Sequence, residues 1–137
     1  MSLTATYGGA NGWLLEFRVS SDSARGLRVL VDPWLQGPLV FPPGPWLLKG
    51  ELANPLPTPE DVDLLLLTQG LADHCHPPSL ELLNRALPVV ASATAAVKVR
   101  QLGFERVATL TPGQSHRIED LTITATAGAP VPQTENG

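Results

Sequence analysis

Cysteine, clustered basic residues and long apolar runs are all scarce in this sequence. Cys75 is its single cysteine, which excludes an internal disulfide and a zinc cluster built from several cysteines of one chain. The strongest apolar run is Leu64–Leu67, far short of the roughly 20 apolar residues that a membrane helix needs. The first ten residues show no basic region followed by an apolar block, so no secretory signal is predicted. We therefore expect no membrane partner and a cytoplasmic location.

The charge of the chain also excludes a class of partner. Nine basic and 13 acidic residues give a formal net charge of −4, and the basic residues are scattered singly from Arg18 to Arg117. Binding to phosphate backbones requires clustered Lys and Arg, so no nucleic-acid partner is expected. A chain of 137 residues with 43% hydrophobic side chains can bury roughly two-thirds of its unfolded surface in one core. The sequence predicts a single domain over residues 1–137.

The order of apolar patterns predicts an α/β fold. Residues 62–68 form a continuous apolar strand, which is typical of a central strand covered on both faces. Fourteen prolines are present, and seven of them break residues 36–59 into a long excursion that no regular strand or helix tolerates. The remaining predicted strands are 13–19, 27–31, 89–91, 106–110, 115–118 and 121–125, and the predicted helices are 78–87 and 94–102.

Chemically capable side chains crowd together directly after the central strand, at residues 68–76. Asp73, His74 and His76 offer one hard oxygen and two imidazoles, a set that suits zinc, iron or manganese. A second interpretation stays open, in which Asp73 caps the following helix and the histidines are packed or exposed. Asp32, at the end of an earlier strand, either supports this site from behind or forms a turn with Pro33.

Several segments in this order resemble the metallo-β-lactamase superfamily, in particular its branch of small metal-dependent hydrolases. They span nearly the whole chain: Gly12-Trp13-Leu14-Leu15, Val31-Asp32-Pro33-Trp34, the strand ending at Thr68, Asp73-His74, the strand that starts at Pro88, the turn Pro112-Gly113-Gln114, and the strand 121–125. The resemblance implies a metal-dependent hydrolase with an αβ/βα sandwich fold made of two similar halves.

The family motif, His-x-His-x-Asp-His, falls on residues 69–74, and it is degenerate here. Gln69 and Leu71 occupy the positions of the two imidazoles that would bind a first metal, and residues 127–130 offer no ligand where the family has its next histidine. The resemblance implies that Asp73 and His74 are metal ligands, with Asp73 catalytic, and that Gln69 or His76 completes a weakened site. At most one weakly bound zinc, iron or manganese ion is expected.

The chain resembles the first half of the superfamily fold, a mixed sheet with helices on one face. It is therefore expected to be either a fragment of a longer protein or a half-fold that covers its sheet by forming a homodimer. We expect the sheet to be built from residues 13–19, 27–31, 62–68 and 121–125. Two functions stay open: hydrolysis of an unknown small-molecule substrate at a degenerate metal site, or a catalytically inactive binding or assembly module of the same fold.

Overall fold

A six-stranded mixed sheet forms the centre of the molecule in the computed structural model, which describes residues 1–18, 26–40, 49–52 and 57–128. In spatial order its strands are β1 (Ser2–Gly9), β2 (Gly12–Arg18), β3 (Leu27–Val31), β6 (Leu64–Leu67), β7 (Val89–Ala91) and β8 (Val107–Thr109). β1, β2 and β3 are antiparallel neighbours, whereas β3, β6, β7 and β8 run parallel. The α/β class predicted from the sequence is confirmed, and the half-sandwich remains a prediction.

Two short antiparallel pairs and two helices complete the described structure. β4 (Leu39–Val40) pairs with β5 (Lys49–Gly50), and β9 (Ser115–Ile118) pairs with β10 (Leu121–Thr124). The helices are α1 (Pro77–Leu80) and α2 (Ala93–Gln101). None of the helices in the described ranges is long and apolar enough to cross a membrane.

The sheet separates two apolar clusters, because successive side chains of a strand point to opposite faces. On one face, strand residues such as Leu65 and Ala91 pack with Leu80 of α1 and Val99 of α2. Cys75 is buried in this cluster, and burial raises the pKa of its thiol to about 11. On the other face, Val29, Leu64 and Val90 pack with partly buried side chains of the β9–β10 hairpin. Helices therefore cover one face and a hairpin covers part of the other.

The structure corrects three predictions about strands. Residues 121–125 do not belong to the main sheet, because β10 pairs with its chain neighbour β9 across a two-residue turn. β1 was not predicted: six of its eight residues are exposed, so it lacks the alternation of buried and exposed residues on which strand prediction depends. Residues 36–59 were predicted to contain no regular strand, but they include β4 and β5, neither of which contains a proline. Val19, the last residue of the predicted strand 13–19, lies outside the described residues.

The two helices differ from their predicted extents. The helix predicted over 78–87 begins one residue earlier, at Pro77, and ends at Leu80. Beyond it the Arg85 guanidinium donates to the carbonyl oxygens of Leu80, Glu81 and Leu83, three acceptors that a continuing helix would give to its own amides. α2 begins after Ser92, whose side chain accepts from the amide of Ala95, and Gly103 follows with φ +98°, as expected of a helix end.

Candidate functional site

The predicted segment after β6 forms a tight loop at the carboxyl end of the parallel strands. The amides of His74 and Cys75 both donate to the carbonyl oxygen of Leu71, at 2.9 and 2.7 Å. Gly70 lies against α2, since a β-carbon at this position would be 3.0 Å from the side chain of Thr94. Lys98 Nζ donates to the Gly70 carbonyl oxygen and ties the loop to the same helix. The main sheet and α2 therefore fix the position of Asp73 and His74.

Asp32 provides a buried carboxylate behind this loop. It directly follows β3, and its amide donates to the carbonyl oxygen of Leu66 in β6 at 3.0 Å. Its backbone has φ +42°, in the left-handed region that Asp tolerates better than most residues. Oδ1 accepts from the Thr68 amide at 2.8 Å, and Oδ2 accepts from Thr68 Oγ1 at 2.5 Å. Burial raises the pKa of Asp32, while these bonds and the one to His74 act in the opposite direction.

Asp32 also determines the orientation and tautomer of His74. Nδ1 of His74 lies 2.7 Å from Asp32 Oδ2, and a carboxylate only accepts hydrogen bonds, so Nδ1 carries the proton. The Nε2 atom is then left with a lone pair. Nε2 lies 3.7 Å from Asp73 Oδ2, and the His74 side chain is 17% exposed. Of the two roles considered for Asp32, support of the site from behind is the one that these contacts match.

Asp73 is held in place by Asn11, which lies in the turn between β1 and β2. Asn11 Nδ2 donates to Asp73 Oδ2 at 3.1 Å and to the Asp73 carbonyl oxygen at 3.2 Å. The second carboxylate oxygen, Oδ1, is buried and has no hydrogen-bond partner among the described residues. A buried carboxylate oxygen without a donor is costly, so this atom suits a cation or another donor from outside the chain.

His76 has a different set of partners from the one predicted for a ligand. It is buried, Nδ1 lies 2.7 Å from Ser79 Oγ, and Nε2 lies 3.0 Å from the Pro38 carbonyl oxygen. Ser79 Oγ accepts from the Leu35 amide at 2.7 Å, so its proton is directed to Nδ1 and Nε2 donates to Pro38. Burial lowers the pKa of His76. With both ring nitrogens occupied, His76 joins α1 to residues 35–38 instead of facing Asp73.

Gln69 belongs to a neighbouring cleft. It lines, together with Thr68 and residues of β7, α2 and β10, a cleft of about 670 Å³. Among the described residues, no three His, Cys, Asp or Glu side chains are placed together to hold a metal ion. The protein donors at the predicted site are therefore the carboxylate of Asp73 and the Nε2 atom of His74.

Sequence reasoning missed Asn11. Its contact with Asp73 joins residues 62 positions apart in the chain. The sequence contains no local pattern that would bring these two residues together.

Comparisons with known proteins agree with the resemblance seen in the sequence. A family described as the beta-lactamase superfamily domain matches residues 5–136. No curated protein matches the chain.

Proposed function

The chain belongs to the metallo-β-lactamase superfamily, and on that premise we propose that it is a hydrolase-like protein with a single weak metal site at Asp73 and His74. One observation carries the proposal. Asp32 accepts a hydrogen bond from the protonated Nδ1 of His74, which leaves the lone pair of Nε2 available for a cation beside a carboxylate whose Oδ1 atom has no partner among the described residues.

The two donors fit an ion of the zinc, iron or manganese type. Such ions accept a neutral imidazole nitrogen together with a carboxylate oxygen. When bound, the ion lowers the pKa of a coordinated water molecule and polarises a carbonyl group. Asp32 and Asn11 hold the imidazole and the carboxylate in fixed orientations, which reduces the conformational entropy lost when a ligand binds.

The same residues argue for weak binding. The Leu71 side chain has no atom that binds a metal, and both ring nitrogens of His76 already have hydrogen-bond partners. Gln69 lines the neighbouring cleft. Zinc sites with two protein ligands lack the third or fourth ligand that gives high affinity. We therefore expect one ion at most and no pair of ions bridged by a hydroxide.

A second candidate function rests on the small number of donors. In it the protein is a catalytically inactive binding or assembly module, and the hydrogen bonds that Asp32, Asn11 and Thr68 make serve only to hold the loop after β6. This interpretation requires no metal. It predicts the same fold and the same hydrogen bonds, so only measurements on the protein separate the two candidates.

Calorimetric titration with Zn²⁺ tests the proposed site. We expect at most one equivalent to bind, and we expect His74→Ala to abolish binding. Asp32→Asn should weaken affinity about 10- to 100-fold, because the amide places a donor against the Nδ1 proton of His74. Asparagine tolerates the positive φ at this position, so the backbone is preserved. His116→Ala, on β9, is the matched control and should bind as the native chain does.

Two results would contradict the proposal. Elemental analysis that finds two equivalents of zinc or iron per chain would show a dinuclear centre, and binding that survives in His74→Ala would place the ion elsewhere. Hydrolysis that a chelator abolishes and zinc restores would favour the hydrolase over the inactive module.

A further inference from the structure

We infer that the cleft beside Thr68 binds an uncharged, polar small molecule. The binding preference itself follows from the residues that line the cleft, whether or not a metal is bound nearby.

The position of the cleft links it to the candidate site. It lies at the carboxyl ends of β6 and β7, between the beginning of α2 and the strand β10, the edge where α/β folds place ligands. Thr68 belongs to both places, because it lines the cleft and its Oγ1 donates to the carboxylate that holds His74. The volume of about 670 Å³ lies in the range of small-molecule sites.

The described residues that line the cleft carry no charge. None of the described residues around the cleft is Asp, Glu, Lys, Arg or His. Two charged side chains next to the cleft already have hydrogen-bond partners within the chain. Lys98 Nζ donates to the Gly70 carbonyl oxygen, and the Asp32 carboxylate accepts from Thr68. Recognition of a phosphate or carboxylate relies on charge-assisted bonds from Arg or Lys, and an ion buried without such partners pays a large desolvation penalty. The cleft therefore offers an anion no charged side chain among its described residues, and the amino end of α2, which carries a partial charge of roughly half a unit, does not replace one.

Uncharged polar groups, in contrast, are available for binding. The side chains of Gln69, Thr111 and Thr126 line the cleft and make no hydrogen bond to any other described residue. An amide and two hydroxyls offer both donors and acceptors, which matches carbonyl and hydroxyl groups. Leu66, Val90 and Ile123 supply apolar walls, so the ligand combines an apolar body with neutral polar groups.

A pair of probes of similar size and different charge tests the inference. 4-Nitroacetanilide is neutral and 4-nitrophenyl phosphate is an anion. Each is titrated into the ¹⁵N-labelled full chain, as purified and after chelator treatment, while amide shifts are followed at Thr68, Gln69 and Thr111. We expect the neutral probe to shift these amides and to bind at least about tenfold more tightly than the phosphate, with or without chelator.

Two lysine variants sharpen the test. Thr111→Lys adds a cation to the cleft wall and should tighten binding of the phosphate probe about tenfold. Its backbone amide keeps the bond to Gln114, so the turn is preserved. Val97→Lys adds the same charge on the exposed side of α2 and should leave both affinities unchanged.

The outcomes are distinct from those of the metal experiment. Equal or tighter binding of the phosphate by the native chain, or no binding of either probe at these amides, would overturn the inference. Neutral-probe binding that persists in His74→Ala, together with absent zinc binding in the native chain, would retain the cleft and reject the metal site.

Discussion

Buried side chains around Ser79 show how single residues connect distant parts of this chain. Ser79 is fully buried on α1, accepts from the Leu35 amide and donates to His76 Nδ1. His76 passes the connection on to the Pro38 carbonyl oxygen. One hydroxyl and one imidazole thus bind polar groups of the segment after Asp32, and the buried Leu35 amide would otherwise have no partner.

Removing this hydroxyl should be costly. We expect Ser79→Ala to lower the free energy of unfolding by about 1–3 kcal/mol, because the Leu35 amide and His76 Nδ1 lose their partner in a buried setting. Urea denaturation measures the effect. The control is Ser115→Ala, whose exposed hydroxyl contacts Thr124 Oγ1 and should change stability by less than about 0.5 kcal/mol. Equal effects in the two variants would contradict a structural role for Ser79.

The composition of the candidate site was predictable at the residue scale only in part. Asp73 and His74 were proposed as ligands because they follow a buried strand, where α/β folds place functional groups. His76 follows the same strand and carries the same imidazole as His74. Its partners Ser79 and Pro38 could not be predicted, because α1 and residues 35–38 come together only in the folded chain. The spacing of residues in the sequence indicates which groups a side chain is able to bind, whereas packing in the folded chain determines which groups it contacts.

At the scale of elements, the loop after β6 depends on its contact with α2. Gly70 is buried, and a β-carbon there would be 3.0 Å from Thr94 Cβ and Oγ1 and 3.2 Å from the Thr94 carbonyl carbon. Thr94 belongs to the first turn of α2, whose beginning is fixed by Ser92. The helix therefore leaves no room for a side chain at the point where the loop leaves the strand.

Gly70→Ala tests this contact. We expect a loss of about 1–3 kcal/mol in the free energy of unfolding, since the added methyl group must displace the loop or the helix. Displacement of the loop should also reduce Zn²⁺ affinity. Gly128→Ala is the control, because no described residue other than its chain neighbours lies within 4 Å of a β-carbon at that position. Native stability in Gly70→Ala would show that the loop accommodates the methyl group without cost.

Elements with strong apolar patterns were predicted well, and the exceptions have physical causes. β3, β7 and β9 have the predicted bounds, since their runs end at residues that interrupt a strand. The predicted helix does not continue beyond Leu80. The Arg85 side chain donates to the carbonyl oxygens of Leu80, Glu81 and Leu83, which helix amides would otherwise bind. On α2, Val97 is 56% exposed, whereas Ala95, Ala96 and Val99 are buried. Small alanines are compatible with a close approach of helix and sheet but are weak indicators in a sequence.

At the scale of the whole molecule, the face of the sheet that the β9–β10 hairpin partly covers is left exposed near β1 and β2. Leu3, Tyr7 and Trp13 are 54%, 55% and 40% exposed. Tyr7 and Trp13 are cross-strand partners with ring centroids 5.0 Å apart, and Leu3 is opposite Phe17 on the same face. Such a contiguous apolar patch is more typical of an interface than of an isolated surface.

We expect the chain to form a two-fold dimer through this face, as the sequence predicts. Light scattering at micromolar concentration should give about twice the chain mass of 14.5 kDa. Leu3→Lys combined with Tyr7→Lys should shift the mass toward that of one chain, because lysines opposed across a two-fold interface are desolvated and repel each other. Val97→Lys, on the exposed side of α2, should remain dimeric. A native chain that stays monomeric under these conditions would contradict the dimer.

The parallel pairing of β3 with β6 also has a kinetic consequence. β1, β2 and β3 pair as chain neighbours, whereas Val29 meets Leu64 only after residues 32–63 have closed a long loop. Contacts between distant residues pay their loop-closure entropy before they gain any stabilisation, so they form slowly. Asp32 begins that loop, and Thr68 follows β6, the strand to which the loop leads. Their carboxylate–hydroxyl contact therefore forms late in folding, and a newly synthesised chain contains its first hairpin before it is able to bind a ligand.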